Sequence, residues 1–301
     1  MGSGEDVLPG HLETKDTIAM IVCDGHSGHE CTDKITKNMS EYLSSIVSIG
    51  VLDTMALCSK DMQTVKWSGA MIVMVQYEKK TRTIHICSRG DTSAIVYQND
   101  SVVFHQPHHS QDDINANQDM LADMKAKNIT KVADVRPELL VQANGSVKTR
   151  RMYRYTRAGI AAASFIGHSG ITCMDAVYRS YQVPRGPFRL VLCSDGLTDV
   201  IHPADAFLCK KGNADANTIG NEAIRRWSSK SCFTMDGYQG KTGYGAMPTN
   251  TFRRVNEQSG LIDHHVYPLH ARPKLDPDFT DYHQVYTGAD DISILVLNVM
   301  S

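Results

Sequence analysis

No apolar run in this chain approaches the ~20 residues that a membrane-spanning helix needs. The opening segment, MGSGEDVLPG, is too polar for a secretion signal. Charge of one sign is missing too: the net charge is -2 and the pI about 6.7, so no overall field draws the protein to nucleic acid or to a membrane surface. The eight cysteines include no CxxC pair and the histidines no HExxH, which removes the common zinc patterns. The cysteines are therefore read as reduced thiols of an intracellular protein rather than a disulfide framework. His105, His108 and His109, like His264, His265 and His270, are read as surface residues. Internal repeats and low-complexity tracts are absent as well.

What is present is ordinary globular material. The chain has 301 residues, 42% of them hydrophobic, which is enough for a sizeable core in one large domain. Apolar runs of strand length occur at Thr17 to Cys23, Gly69 to Tyr77, Thr83 to Cys87, Ser93 to Tyr97, Ser101 to His105, Phe188 to Cys193 and Ile292 to Val299. The middle ones follow one another as a meander, so the sheet is expected to be antiparallel. Residues 29–48 carry Cys31, Ile35, Met39, Leu43 and Ile46 at helical spacing. Further helices are expected near 112–127, 170–181, 203–211 and 214–228. Residues 229–286 are rich in Gly, Pro, Tyr, His and Asp with little periodicity, and read as a loop-rich insertion. Strands in groups with helices after each group indicate an α+β fold.

Three of the most apolar strands are bounded by an aspartate: Asp24 after the first, Asp195 after Phe188 to Cys193, and Asp290 before the last. One such residue is unremarkable, since Asp-Gly is a common turn dipeptide. Three suggest carboxylates gathered at one edge of a sandwich, where they repel one another unless a cation sits between them. Hard oxygen ligands favour Mg2+ or Mn2+ over Zn2+.

These pieces resemble the metal-dependent protein phosphatases of type 2C (PPM-type). The matching segments are Glu5-Asp6, Asp24-Gly25-His26-Ser27-Gly28, Gly90-Asp91-Thr92-Ser93-Ala94, Ser194-Asp195-Gly196-Leu197-Thr198-Asp199 and Asp290-Asp291-Ile292-Ser293, in the family's order across nearly the whole chain. The resemblance implies an antiparallel β-sandwich flanked by helices on both faces (α-β-β-α). It also implies two Mg2+ or Mn2+ ions, ~3.5–4 Å apart as two-metal sites generally are. Asp24 would bridge them, the Gly25 carbonyl would ligate one, and Asp195 and Asp290 would complete the shell of the other. Glu5 and Asp6 would act through water. An activated water would attack a phosphoserine or phosphothreonine of a protein substrate, with His26 as the general acid at its intrinsic pKa. The implied protein is an intracellular monomeric Ser/Thr phosphatase. The alternatives are a catalytically impaired pseudophosphatase acting as a binding module, and a hydrolase of small phosphoesters.

The sequence departs from the family in three places. The phosphate-gripping arginine that family members carry on a strand ahead of the acidic pair has no counterpart, since at its usual spacing Met1 occupies the position; a truncated first strand is the corresponding expectation. Gly167-His168 stands where the family has Gly-Asp, and Ser93 where its hairpin motif has arginine. Arg150, Arg151, Arg154 and Arg157 cluster with Tyr153 and Tyr155. That run reads as a solvated hairpin edge, as a nucleic-acid contact, or as a replacement grip on phosphate.

Overall fold

The structure is a computed structural model describing residues 5–106, 109, 117–127, 129–141, 147–156, 164–169, 171, 173–198, 201, 203–209, 214–228, 232–236, 243–247, 251–256, 262–266, 279–280 and 291–300, with the strands in 130–156 and 232–280 described by their backbone. Two antiparallel sheets form its centre. The first has the order β1 (Val7–Glu13), β2 (Thr17–His26), β3 (Gly69–Glu78), β4 (Thr83–Arg89), β10 (Val177–Gln182), with the short β9 (Ile166–Gly167) on β3. The second has the order β17 (Ile294–Val299), β11 (Phe188–Cys193), β5 (Ser93–Gln98), β6 (Ser101–His105).

The alternation of side chains explains why the apolar runs are continuous. On β2, Ile18, Met20 and Val22 face the second sheet and meet Val73, Val75, Ile84, Ile86, Ala94, Val96, Leu190 and Leu192. The intervening Ala19, Ile21 and Cys23 pack against α1 (Glu30–Ile49) and α2 (Val51–Asp61) through Ile35, Tyr42, Ile46 and Met55. On the far side, Ile95, Tyr97, Val191 and Cys193 pack against Ile219 and Ala223 of the helix Ala216–Ser228. The result is the helix–sheet–sheet–helix arrangement expected from the resemblance.

Three expectations are corrected. The meander is antiparallel, but β4 and β5 are not neighbours: the chain leaves the first sheet at Arg89 and enters the second at Ser93. Residues 170–181 were expected to be helical, yet Val177–Gln182 is a strand pairing with β4, which gives Val177 a buried position on the sheet. The polar stretch after β6 contains the expected helix, Gln118–Ala126, and then the hairpin of β7 (Thr130–Val141) and β8 (Val147–Thr156). Residues 229–286 are not simply loops. They include β12 (Cys232–Asp236), β13 (Gly243–Met247), β14 (Thr251–Asn256), β15 (Ile262–Val266) and β16 (Phe279–Thr280). Of these, β12 pairs in parallel with β7, so this region shares a sheet ordered β13-β12-β7-β8 with the preceding hairpin. No described helix is long and apolar enough to cross a membrane.

The two-sided burial of β2 gives a direct test. Ile21 is 0% exposed and Ile49, at the end of α1, is 51% exposed. Ile21→Ala should lower the unfolding free energy by about 2–5 kcal/mol in urea titrations, and Ile49→Ala by less than about 0.5 kcal/mol.

Candidate active site

Antiparallel pairing assembles the acidic residues. β11 lies between β5 and β17, with Cys193 opposite both Ser93 and Ile294. The end of β11 therefore adjoins the beginnings of its two neighbours. Asp195 follows that end within a short helical turn, Asp91 precedes β5, and Asp291 precedes β17. From the other sheet, β2 delivers Asp24, Gly25 and His26 opposite Met71, Ala70 and Gly69 of β3. Half-buried Asp24, Asp91 and Asp195 each offer an oxygen, and these atoms lie within 4.8 Å of one another. At that separation two ionised carboxylates repel by about 3 kcal/mol if the effective dielectric constant is about 20. The cluster is thus a place where a hard cation gains and bare charge costs.

Glu5 and Asp6 cross over the end of β2. The Glu5 amide donates to Asp291 Oδ2 at 2.7 Å, the Gly28 amide donates to Glu5 Oε1, and the Gly25 amide donates to Asp6 Oδ1 at 3.3 Å. The crossing needs glycine beneath it, because a Cβ on Gly25 would come within 2.1 Å of the Glu5 carbonyl oxygen. Burial holds the Asp6 carboxyl above its ordinary pKa, with Ser194, Ser293, Asp24 and the Gly25 amide opposing. Its Oδ2 is buried with no donor among the described residues.

His26 occupies a drier place. Its ring stacks on that of His168, with centroids 5.0 Å apart and planes at 24°, and meets the edge of Phe165 at 5.8 Å. Neither ring nitrogen has a hydrogen-bond partner among the described residues. Burial, and secondarily His168, push its pKa down to about 4 against the opposing influence of Glu5. The ring is therefore neutral at pH 7, so the intrinsic value of a free histidine does not describe it.

Of the residues singled out from the sequence, Asp24, Gly25, His26, Asp195, Glu5 and Asp6 are brought to one place. Asp290 lies outside the described residues, next to Asp291. Arg150, Arg151 and Arg154 lie on β8, at one edge of the β13-β12-β7-β8 sheet, with Arg150 opposite Glu138. Arg157 lies outside the described residues. Asp91 was not anticipated in the acidic cluster, although it too is an acid at the end of an apolar strand. His109, expected on the surface, is buried. It braces the turn that carries Asp91: its amide donates to the Gly90 carbonyl at 2.9 Å, and its Nδ1 lies 3.2 Å from the Gly90 amide. Burial pushes the thiols of Cys31, Cys58 and Cys87 up to about 12, so these cysteines are not thiolate nucleophiles at neutral pH.

No family model and no curated protein matches the chain. Solved structures do. A C. elegans sex-determining protein is similar at 14% identity with a TM-score of 0.51, over 74% of this chain and 62% of that one. The chain shares that protein's fold. Also similar are the Staphylococcus aureus serine/threonine phosphatase Stp1 (16% identity, TM-score 0.48, 74% of this chain and 82% of that one) and the S. agalactiae serine/threonine phosphatase (15%, 0.46, 75% and 87%). At these identities the likeness is one of fold. Within this fold, the acidic cluster and His26 sit at the same end of the sandwich.

The depressed pKa of His26 has a stability consequence in chelator-treated protein. Between about pH 6.5 and 4 the unfolded chain takes up a proton at His26 that the folded chain does not, so folding is progressively disfavoured as pH falls through that window. Stability against urea should therefore decline across it. The stability of the wild type relative to His26→Gln should fall by up to about 3 kcal/mol from the top of the window to the bottom.

Proposed function

We propose that the protein is a Mg2+- or Mn2+-dependent phosphatase acting on phosphoserine and phosphothreonine in proteins, as an intracellular monomer. The supporting observation is the convergence of Asp24, Asp91 and Asp195, from three separate strand ends, beside His26. Their donor set fits hard divalent cations, and the buried Oδ2 of Asp6 suits a water held by such a cation. Asp24, Asp195 and Asp290, with the Gly25 carbonyl, would hold two ions; Asp91 joins them, and Glu5 and Asp6 would orient water around them. When bound, such cations lower the pKa of water and offset charge on phosphoryl oxygens.

The chain's own part is placement and proton supply. By holding the cations, the Asp24 cluster would set where the phosphoryl group sits. A phosphate dianion beside His26 opposes the effect of burial and favours the imidazolium. His26 then hands its proton to the departing serine or threonine oxygen, which becomes a neutral hydroxyl. Arg150, Arg151, Arg154 and Arg157 are the candidates to grip phosphate. The neutral state of His26 in the free protein favours the second reading, a pseudophosphatase that binds without turnover.

Phosphate release from a phosphothreonine peptide should require Mg2+ or Mn2+, and Asp24→Asn and Asp91→Asn should each lower kcat by about 100-fold or more. Saturating cation should also stabilise the wild type, by about 2.7 kcal/mol at a hundredfold excess over Kd, and stabilise Asp24→Asn far less. A cation-induced rise in Tm without turnover would select the second reading. A cation that changes neither Tm nor turnover would overturn both.

A further inference from the structure

The sequence leaves His168 without a role, and the structure gives it an unusual setting. It is 5% exposed, and its backbone is left-handed at φ 46°, directly after Gly167 at φ 89°. Such a conformation is uncommon outside glycine and asparagine and costs on the order of 1 kcal/mol. The surrounding backbone imposes it: the His168 amide donates to the Ser68 carbonyl at 3.0 Å, and the Ile171 amide donates to the His168 carbonyl at 3.0 Å. The imidazole is further anchored by the Lys66 backbone. β9 then pairs Gly167 with Gly69, which is itself the cross-strand partner of His26.

The two imidazoles are fitted to each other through Gly69. A Cβ there would lie 2.6 Å from His26 Nε2 and 2.6 Å from His168 Cδ2. Only a residue without a side chain lets both rings lie over β3. Phe165 closes the group, edge-on to His26 at 5.8 Å and to His168 at 5.4 Å. A catalytic imidazole is ordinarily oriented by a hydrogen bond from one ring nitrogen to a carboxylate or carbonyl, leaving the other nitrogen for chemistry. Neither nitrogen of His26 makes such a bond with a described residue. The described contacts that fix its plane are the face of His168 and the edge of Phe165.

We infer that His168 is a positioning residue that sets the plane of the His26 imidazole by ring stacking, doing through its face what a carboxylate partner does through a hydrogen bond. Its catalytic consequence rests on the proposed role of His26 as proton donor to the leaving oxygen. A planar ring at 168 is what the arrangement requires, so phenylalanine should substitute and alanine should not. Gly69→Ala, which carries no φ penalty, should disturb the pair from the opposite side.

Two measurements on the full chain test this. In the first, turnover is compared on a phosphothreonine peptide, whose leaving alkoxide needs a proton, and on p-nitrophenyl phosphate, whose leaving group does not. His168→Ala should lower kcat on the peptide by about tenfold or more, with little change in KM and little loss on p-nitrophenyl phosphate. His168→Phe should restore most of the peptide rate, and His26→Ala/His168→Ala should be no slower than His26→Ala alone. In the second, NMR of histidine-labelled, metal-free protein follows the His26 ring signals, which stacking displaces. These should lose that displacement in His168→Ala, move in Gly69→Ala, and stay displaced in the same sense in His168→Phe. Equal losses on both substrates accompanied by a fall in Tm would make the role merely structural and overturn the inference. A His26 signal identical in wild type and His168→Ala would overturn it whatever the activity. If the protein turns over no phosphopeptide, the functional reading fails on its own, while the NMR signals still decide the placement of His26.

Discussion

Antiparallel pairing of β11 between β5 and β17 is the constraint from which the site follows. In an antiparallel ladder the end of one strand is flanked by the beginnings of its neighbours. With Cys193 opposite both Ser93 and Ile294, the turns bearing Asp195, Asp91 and Asp291 have to share one edge. The carboxylates resist being there. They are held because β11 is buried along its whole length, with Leu190 and Leu192 facing the first sheet and Val191 and Cys193 facing the helices. At roughly 1.5–3 kcal/mol per fully buried aliphatic side chain, that burial exceeds the mutual repulsion of a few half-solvated acids.

β2 makes the second contribution, and its geometry divides the site into two environments. Side chains alternate along a strand, so Asp24 and His26 share a face and Gly25 takes the other. The Gly25 face is where Glu5 crosses, and the absence of a side chain lets the crossing close. On the shared face, Asp24 reaches the acidic cluster, while two residues further on His26 enters the dry pocket of Phe165 and His168. Polar, cation-seeking groups and an uncharged imidazole thus stand side by side on one strand. The difference in their surroundings gives each its chemical character.

The sequence reveals the parts of this design that depend on local pattern. β2, β11 and β17 stand out as apolar runs, and α1 by its helical spacing, because burial on one or both sides writes itself into neighbouring residues. Asp24 and Asp195 are legible for the same reason, as acids bounding such runs. Asp91 bounds one too. Its membership of the cluster, however, depends on the crossing from β4 to β5 between sheets, and no local signal marks that crossing. His109 and His168 are hidden in the same way: their burial comes from segments remote in sequence, Gly90 for one and Ser68 for the other. β10 reads as mixed polar and apolar because only Val177 is fully buried along it. The strands within 232–280 lack the alternation that would announce them, and β12 pairs with β7 of the earlier hairpin as well as with its neighbour β13.

The hydrogen bond from the Glu5 amide to Asp291 joins residues 286 positions apart. During synthesis the chain carries Asp24, Asp91 and Asp195 out of the ribosome long before the segment 291–299 exists. Until β17 arrives, one side of β11 is an open sheet edge, and the turn that receives Glu5 is missing. A nascent or nicked chain therefore exposes a sticky strand of high apolar content and has no completed acidic centre. The closing of that edge brings Asp291 to Glu5 in the same step that ends the hazard of aggregation.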